Sequence, residues 1–273
     1  MPNRVPPERG YDLSYQQLNR TGLHGPLRDF LRSYARRDRV VMEDDFVGDT
    51  INLDNYALAQ SQTSVTHVHA AALNGIIQGT VVATTTASLS IVTPAIWAGN
   101  NNASFEARFK VNTVASTFIL EAGFIDAVPG SAGPGIADID TATGATMTCG
   151  ALFHFNNAQT HTGIAFGTIG DATGQTFATT LMTTGFTTPV ADTYMTIKVQ
   201  LLTNPGETGK TKALLWVNSK LRATHAPAAG AVDGTQLLAG WLYVQAVAAA
   251  AKIHYVDYIR IEQDRAALGA ALE

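Results

Sequence analysis

Apolar and polar residues alternate with a period of two along much of the chain after residue 40. Segment 104–111 alternates without a fault, and its apolar positions are Phe105, Ala107, Phe109 and Val111. Segment 193–201 repeats the pattern, with apolar positions at Met195, Ile197, Val199 and Leu201. Because successive side chains of a strand point to opposite faces, each segment is predicted to be a strand with one buried face.

Further strands are predicted between stretches rich in Gly, Pro, Asn or Thr, at residues 75–82, 88–93, 117–126, 146–156, 163–168, 212–224, 237–247 and 252–262. About a dozen strands without a helix in this part of the chain indicate an all-β sandwich of two antiparallel sheets. No repeat of fixed period is present, which disfavours propellers and β-helices.

Residues 1–39 have a different composition and are interpreted as an N-terminal arm. After Pro26, the apolar residues Leu27, Phe30, Leu31 and Tyr34 fall at i, i+3, i+4 and i+7. This spacing predicts a helix over 26–37 with one apolar face. The opposite face carries Arg28, Arg32 and Arg36. The predicted organisation is an arm at 1–39, a sandwich at 40–264 and a tail at 265–273.

Charge divides along the same boundary. Residues 1–40 carry eight Arg and four acidic residues, whereas the remainder carries 10 Lys plus Arg and 18 acidic residues. This contrast predicts that the arm binds an acidic partner, such as the body of a neighbouring copy. A solvated, partly disordered terminus is the alternative.

The chain has a single cysteine, Cys149, so an intramolecular disulfide is excluded, as is a metal site that needs two cysteines. No apolar run has the length of a signal peptide or a membrane span. The expectation is a chain made in the cytoplasm without export, with no membrane and no nucleic acid among its partners.

Several segments resemble the concanavalin A-like (laminin-G-like) jelly roll of lectins, glucanases and many viral surface proteins. They are residues 43–46 (EDDF), 105–109 (FEARF), the pair 194–202 and 212–222, and the closing strand 253–261 (IHYVDYIRI). The resemblance covers about residues 43–264 and implies fold more than function. The hairpin has Asn218-Ser219 where the family usually has Asp-Gly, which predicts a longer or differently shaped turn.

No catalytic residue is predicted. Glucanases of this fold carry Glu-x-Asp-x-Glu on one strand to supply paired carboxylates, and nothing here matches it. Glu106 and Glu121 are therefore interpreted as surface charges. Cys149 is interpreted as a small core residue, no Gly-x-Ser-x-Gly elbow occurs, and no glycine-rich phosphate loop precedes a helix. The chain is thus predicted not to be an enzyme and to hold no cofactor.

Two weak metal signals are present. His67 and His69 lie two residues apart, so on a strand they share a face and could bind an ion with His154, His161 or a carboxylate. Asp138 and Asp140 lie in a loop and could hold Ca²⁺. A structural role is favoured for both pairs, and no metal is predicted.

Carbohydrate binding needs exposed aromatic platforms. Trp97, beside the loop 99–102, is the candidate glycan-binding residue, although it could equally close the end of the sandwich. Trp216 and Trp241 lie within apolar strands and are predicted to be core residues. Asp257, by strand parity, is expected to face the core and bind loop amides.

The short arm, the jelly roll, the low charge and the Thr/Ala/Gly-rich body together resemble phage head decoration or minor capsid proteins. The resemblance implies a non-enzymatic virion structural protein, made in the host cytoplasm and homo-oligomeric, with the major capsid protein or other virion subunits as partners. The expected assembly residues are those of the arm: Tyr11, Tyr15, Leu27, Arg28, Phe30, Leu31, Arg32, Tyr34 and Arg36. The alternatives are a glycan-binding lectin-like domain of a tail, fibre or cell surface, and a degenerate hydrolase.

Overall fold

The computed structural model describes residues 39–47, 56–61, 66–70, 75–84, 86–114, 117–126, 133–136, 147–158, 164–170, 177–182, 188–203, 210–225, 232–248 and 250–265. The predicted arm helix and all nine assembly residues lie outside this part of the chain. So do His161, Asp138 and Asp140.

Sixteen strands and one short 3₁₀ turn at Gly99–Asn101 form the described part of the chain. The first eight strands are β1 Arg39–Asp44, β2 Ala57–Gln60, β3 Thr66–Ala70, β4 Ile76–Val81, β5 Ser88–Val92, β6 Trp97–Ala98, β7 Ser104–Val111 and β8 Phe118–Ile125. The others are β9 Gly150–Asn156, β10 Ile164–Ile169, β11 Phe177–Met182, β12 Met195–Thr203, β13 Thr211–Val217, β14 Lys220–His225, β15 Leu237–Ala246 and β16 Lys252–Asp264.

The strands form two eight-stranded sheets. Sheet A has the order β14-β13-β12-β7-β16-β4-β3, with β1 also paired to β16. Sheet B has the order β11-β10-β9-β8-β15-β5-β2, with β6 also paired to β15. The strand pairs whose register is resolved are antiparallel. The predicted all-β sandwich of two antiparallel sheets is confirmed.

The inner faces of the two sheets form the core. The eight residues that alternation marks as inward-facing are all buried: Phe105, Ala107, Phe109, Val111, Met195, Ile197, Val199 and Leu201. Across the sandwich, the rings of Phe105 on β7 and Phe124 on β8 meet edge to face with centroids 6.1 Å apart. Burial of each large apolar side chain contributes about 1.5–3 kcal/mol, so these rows supply much of the driving force for folding.

The turn of the hairpin between β13 and β14 is not the one that was predicted. Val217 pairs with Lys220, so only Asn218 and Ser219 form the turn, and both have positive φ, at 49° and 63°. This is the two-residue primed turn that suits the twist of an antiparallel pair. The turn is therefore neither longer nor differently shaped, because Ser219 adopts the left-handed conformation usually given to glycine.

A β-bulge in β16 corrects a second prediction. The partner of Phe109 is Val256, but the partner of the preceding residue, Arg108, is Tyr258, so Asp257 is the extra residue. A bulge reverses the side-chain parity along a strand. Asp257 therefore points out of the sandwich and pairs with Arg108, and does not bind loop amides from a core position.

Residues 42–263 form one compact unit. In the other unit the structure describes only residues 39–41, 264 and 265, and there Arg39 Nε lies 3.2 Å from Asp264 Oδ1. The predicted boundaries at 39 and 264 remain predictions. None of the described segments is a helix long and apolar enough to span a membrane.

Candidate functional site

A row of polar side chains crosses the outer face of sheet B, the face turned away from sheet A. The register places Ser90 beside Tyr243, Tyr243 beside Glu121, and Glu121 beside His154. Four adjacent strands, β5, β15, β8 and β9, thus bring together residues separated by up to about 150 positions in the chain. All four residues are buried.

Glu121 is the centre of this row and is completely buried. The backbone N–H of Gly135 donates to Oε2 at 2.7 Å, and that of Ile136 donates to Oε1 at 2.8 Å. His154 Nδ1 lies 3.0 Å from Oε1, and Trp241 Nε1 donates to Oε2 at 3.1 Å. Both oxygens of the carboxylate are therefore satisfied, which is the condition for keeping such a group in a protein interior.

The carboxylate also orients His154. An ionised carboxylate can only accept hydrogen bonds, so this contact favours the His154 tautomer that carries its proton on Nδ1. Nε2 is buried and has no hydrogen-bond partner in the described structure. A carboxylate-oriented imidazole is the arrangement that general bases use. Here, however, the side chain is completely buried.

Two aromatic residues of β15 complete the row. The rings of Trp241 and Tyr243 stack with centroids 5.3 Å apart and planes 13° apart. The hydroxyl of Tyr243 donates to Gln245 Oε1 at 2.9 Å. Burial raises the pKa of Tyr243 above its usual value. Tyr243 therefore stays neutral throughout the physiological pH range.

An apolar layer covers this polar row. Ile136 and Met147, which lie outside the strands, are fully buried against the outer face. The sheet residues in the same cluster are Val92, Ile119, Ile125, Leu152, Ala165, Ile169, Ala239, Trp241 and Tyr243. The outer face of sheet B is thus a second core. The segment that contains Gly135 and Ile136 covers this face, and the amides of these two residues bind it to Glu121.

The interpretation of Glu121 as a surface charge is wrong. Every residue of β8 is buried, so the strand has no wet face on which a carboxylate could lie. The local sequence, FILEAGFI, contained the signal: a nearly continuous apolar run is typical of a strand covered on both sides. A charge inside such a run predicts a buried, hydrogen-bonded group.

The structure also contradicts the prediction that Trp97 is a candidate glycan-binding residue. Its side chain is 1% exposed, and Nε1 donates to Thr93 Oγ1 at 3.1 Å. The same hydroxyl oxygen accepts from the backbone N–H of Gly240 at 2.7 Å. A ring this buried offers no platform to a sugar. Trp97 is instead a core residue, on the short strand β6 that pairs with β15.

The predicted histidine group does not come together. His67 and His69 lie on the inner face of sheet A, whereas His154 lies on the outer face of sheet B. His67 instead contacts His254 of β16, with ring centroids 5.8 Å apart. Within the described ranges, no group of three or more His, Cys, Asp or Glu side chains could hold a metal ion.

The outer face of sheet A carries charges in matched pairs. Arg108 pairs with Asp257, and Arg260 Nη2 lies 2.7 Å from Glu262 Oε2. Glu106 accepts from the Tyr258 hydroxyl at 2.6 Å, with Lys198 Nζ 3.9 Å away. Each pair is partly solvated and contributes about 0–1 kcal/mol. These neighbours neutralise each other's charge.

Aromatic side chains lie among these charges. The Arg108 guanidinium lies 4.4 Å from the centroid of the Tyr194 ring, and Lys110 Nζ lies 4.9 Å from that of Tyr255. Trp216 is half-buried and pairs with Lys198 on this face, so the prediction that it is a core residue is wrong. Trp241, by contrast, is 1% exposed, as predicted.

No family model and no curated protein matches the sequence. Solved structures do match. A protein of unknown function, SO2946 from Shewanella oneidensis MR-1, is 16% identical with a TM-score of 0.50, over 90% of this chain and 99% of that one. The potassium-bound carbohydrate recognition domain of Emp46p is 11% identical with a TM-score of 0.53, over 80% and 94%.

An endo-beta-1,4-glucuronan lyase from the fungus Trichoderma reesei is 10% identical with a TM-score of 0.55, over 81% of this chain and 94% of that one. The chain has a concanavalin A-like jelly-roll fold. The jelly roll is shared by a carbohydrate recognition domain and by a lyase, and identities this low establish the fold alone.

Proposed function

We propose that this jelly roll is a non-catalytic structural component of a virion, a phage head decoration or minor capsid protein attached through its N-terminal arm. The burial of the outer face of sheet B carries the non-catalytic part of the proposal. The carboxylate of Glu121 on this face accepts four hydrogen bonds and lies beneath an apolar layer. The polar groups of that face therefore hydrogen-bond to one another and to the backbone, and these bonds stabilise the fold.

The contrast in charge supports attachment through the arm. Eight Arg among the first 40 residues precede a body with an excess of acidic residues. Arginine is well suited to pair with carboxylates at an interface, and the predicted apolar stripe would supply the buried anchors. A rigid sandwich with a basic arm is a suitable design for a subunit that binds an acidic shell or a sister copy.

The arm is tested in the full-length chain by replacing Arg28, Arg32 and Arg36 with Gln together, and with Lys together as the charge-conserving control. Sedimentation velocity at low and high salt would follow self-association. We expect the wild-type oligomer to weaken as salt rises and the Gln variant to be weaker at low salt. The Lys variant should retain most of the association. Equal behaviour of all three proteins would contradict an electrostatic role of the arm.

The non-catalytic part is tested on a panel of acidic and neutral polysaccharides that includes glucuronan, the substrate named for the lyase of the same fold. We expect no cleavage product. The informative variant is His154→Gln, because His154 is the best-oriented imidazole of the described residues. Turnover by the wild type that this substitution abolishes would contradict the proposal.

Glycan binding without cleavage is the second candidate function. The fold is that of a carbohydrate recognition domain, and the outer face of sheet A presents half-buried Tyr194 and Tyr255 among polar groups. If this function is the true one, a glycan array should show specific retention that Tyr194→Ala and Tyr255→Ala remove. Retention that both variants keep, or no retention, would contradict a glycan site on this face.

A further inference from the structure

Two buried imidazoles meet at one edge of sheet A. The register aligns His67 of β3, Gly79 of β4 and His254 of β16 in a single row across three neighbouring strands. The rings of His67 and His254 contact each other edge to face, with centroids 5.8 Å apart and planes 82° apart. His254 is 2% exposed.

Gly79 makes this contact possible. A Cβ atom at position 79 would lie 2.1 Å from Cε1 of His254, a separation that no packed side chain allows. The missing side chain therefore leaves room for the His254 ring to lie across β4 toward His67. Glycine weakens a strand interior, so its presence here indicates that the space matters.

The two rings have polar atoms without hydrogen bonds. Nε2 of His67 and Nδ1 of His254 are buried and have no partner in the described structure. Burial lowers the pKa of His67 to about 4, and burial together with the charge of His67 lowers that of His254 to about 3. Both rings are therefore neutral at pH 7.

Among the residues that the structure describes, the strands around these rings offer no compensating negative charge. The other titratable groups on the inner faces of β3 and β16 are His69 and Lys252, and each is a cation when protonated. The described residues of β4, β2 and β5 include no ionisable side chain. Tyr243, the ionisable residue of β15, points to the outer face of sheet B. Val111 of β7, which pairs with His254, is apolar.

We propose that the His67–His254 pair is an acid-sensitive latch that holds the β3–β4 hairpin on β16. Protonation places a cation in an apolar layer beside a second imidazole. The hairpin is the last element of sheet A in the described strand order, and it is bonded to the first half of β16, through Lys252–Val256. Acid therefore detaches this hairpin before the rest of the sandwich unfolds. The latch does not depend on the proposed virion role.

Hydrogen–deuterium exchange with mass spectrometry tests the latch on the full-length chain, with rates corrected for the intrinsic effect of pH. Between pH 7 and pH 4.5, we expect protection of peptides covering 66–81 to fall at least about tenfold. Peptides covering β8 and β15 of sheet B should keep their protection. An equal loss of protection in both sheets would show global unfolding and overturn the proposal.

Single substitutions test whether the acid response comes from the His67–His254 pair or from another group on the same strand. His67→Phe keeps an edge-to-face aromatic contact but cannot be protonated, so we expect it to weaken the acid response of 66–81, with buried His254 supplying the remainder. His69→Phe is the matched control, on the same face of the same strand, and should retain the response. If His67→Phe does not fold at pH 7, His67→Gln takes its place. An acid response that is undiminished without His67, or that His69→Phe weakens equally, would overturn the latch.

Discussion

Replacing Glu121 with Gln tests whether the buried network is a structural tie between sheet B and its covering segment. Oε1 accepts from Ile136 and His154, and Oε2 accepts from Gly135 and Trp241. Glutamine has the same shape but only one oxygen, so its NH₂ group must face two donors. The most favourable arrangement places NH₂ at the Oε1 position, with His154 changing tautomer to accept from it.

That arrangement leaves the N–H of Ile136 without an acceptor. An unsatisfied buried N–H costs about 1–3 kcal/mol, and the three remaining bonds lose the strength that charge gave them. The expected loss in the free energy of unfolding is about 2–4 kcal/mol. Urea denaturation at pH 7, followed by the fluorescence of the tryptophans, measures this loss.

Glu106→Gln is the matched control, because Glu106 is half-buried on the outer face of sheet A. It should cost less than about 1 kcal/mol, as expected for a partly solvated pair. A free energy of unfolding for Glu121→Gln within about 0.5 kcal/mol of the wild-type value would refute the structural role of this carboxylate. If Glu106→Gln lowered the free energy of unfolding as much as Glu121→Gln does, the experiment would not distinguish the fully buried carboxylate from the half-buried one.

Three further predictions concern stability. Ser219→Gly should raise the free energy of unfolding by about 0.5–1 kcal/mol because Ser219 has a φ of 63°, whereas Ser219→Ala should give no gain in the same denaturation experiment. Trp97→Ala should lower it by about 3–5 kcal/mol, since the ring is 1% exposed; a variant as stable as the wild type would contradict its role as a core residue. Burial lowers the pKa of His225 to about 4, so its contribution to stability is complete above pH 6.5 and is lost as the pH falls toward 4. His225→Gln should therefore reduce proton uptake on unfolding near pH 5 by roughly one, and an unchanged pH dependence would contradict this.

The sequence predicted sheet A better than sheet B, for a physical reason. β7 and β12 have one wet face, so apolar and polar residues must alternate along them, and the core residues could be read from that alternation. β8, β9 and β10 are buried on both faces. Alternation cannot arise where both faces are dry. The strands and the burial of Glu121 could therefore be predicted, but the face of the sheet on which Glu121 lies could not.

The candidate site depended on contacts between distant parts of the chain. Glu121 meets its donors on a loop at Gly135 and on β15 at Trp241, and no local pattern relates these positions. The bulge at Asp257 shows the same limit, because a single inserted residue reverses parity without a mark in the sequence. His67 was predicted to share its face with His69, but its contact with His254 follows from strand order alone.

The most direct test of the proposed function is quantitative mass spectrometry of particles purified from the system that encodes this chain. The proposal predicts that the chain is present in fixed proportion to the major capsid protein and that it remains with the particles through a density gradient. High salt should release it in part, because the arm is basic and exposed ion pairs are screened. Purified particles that lack the chain would contradict a virion role.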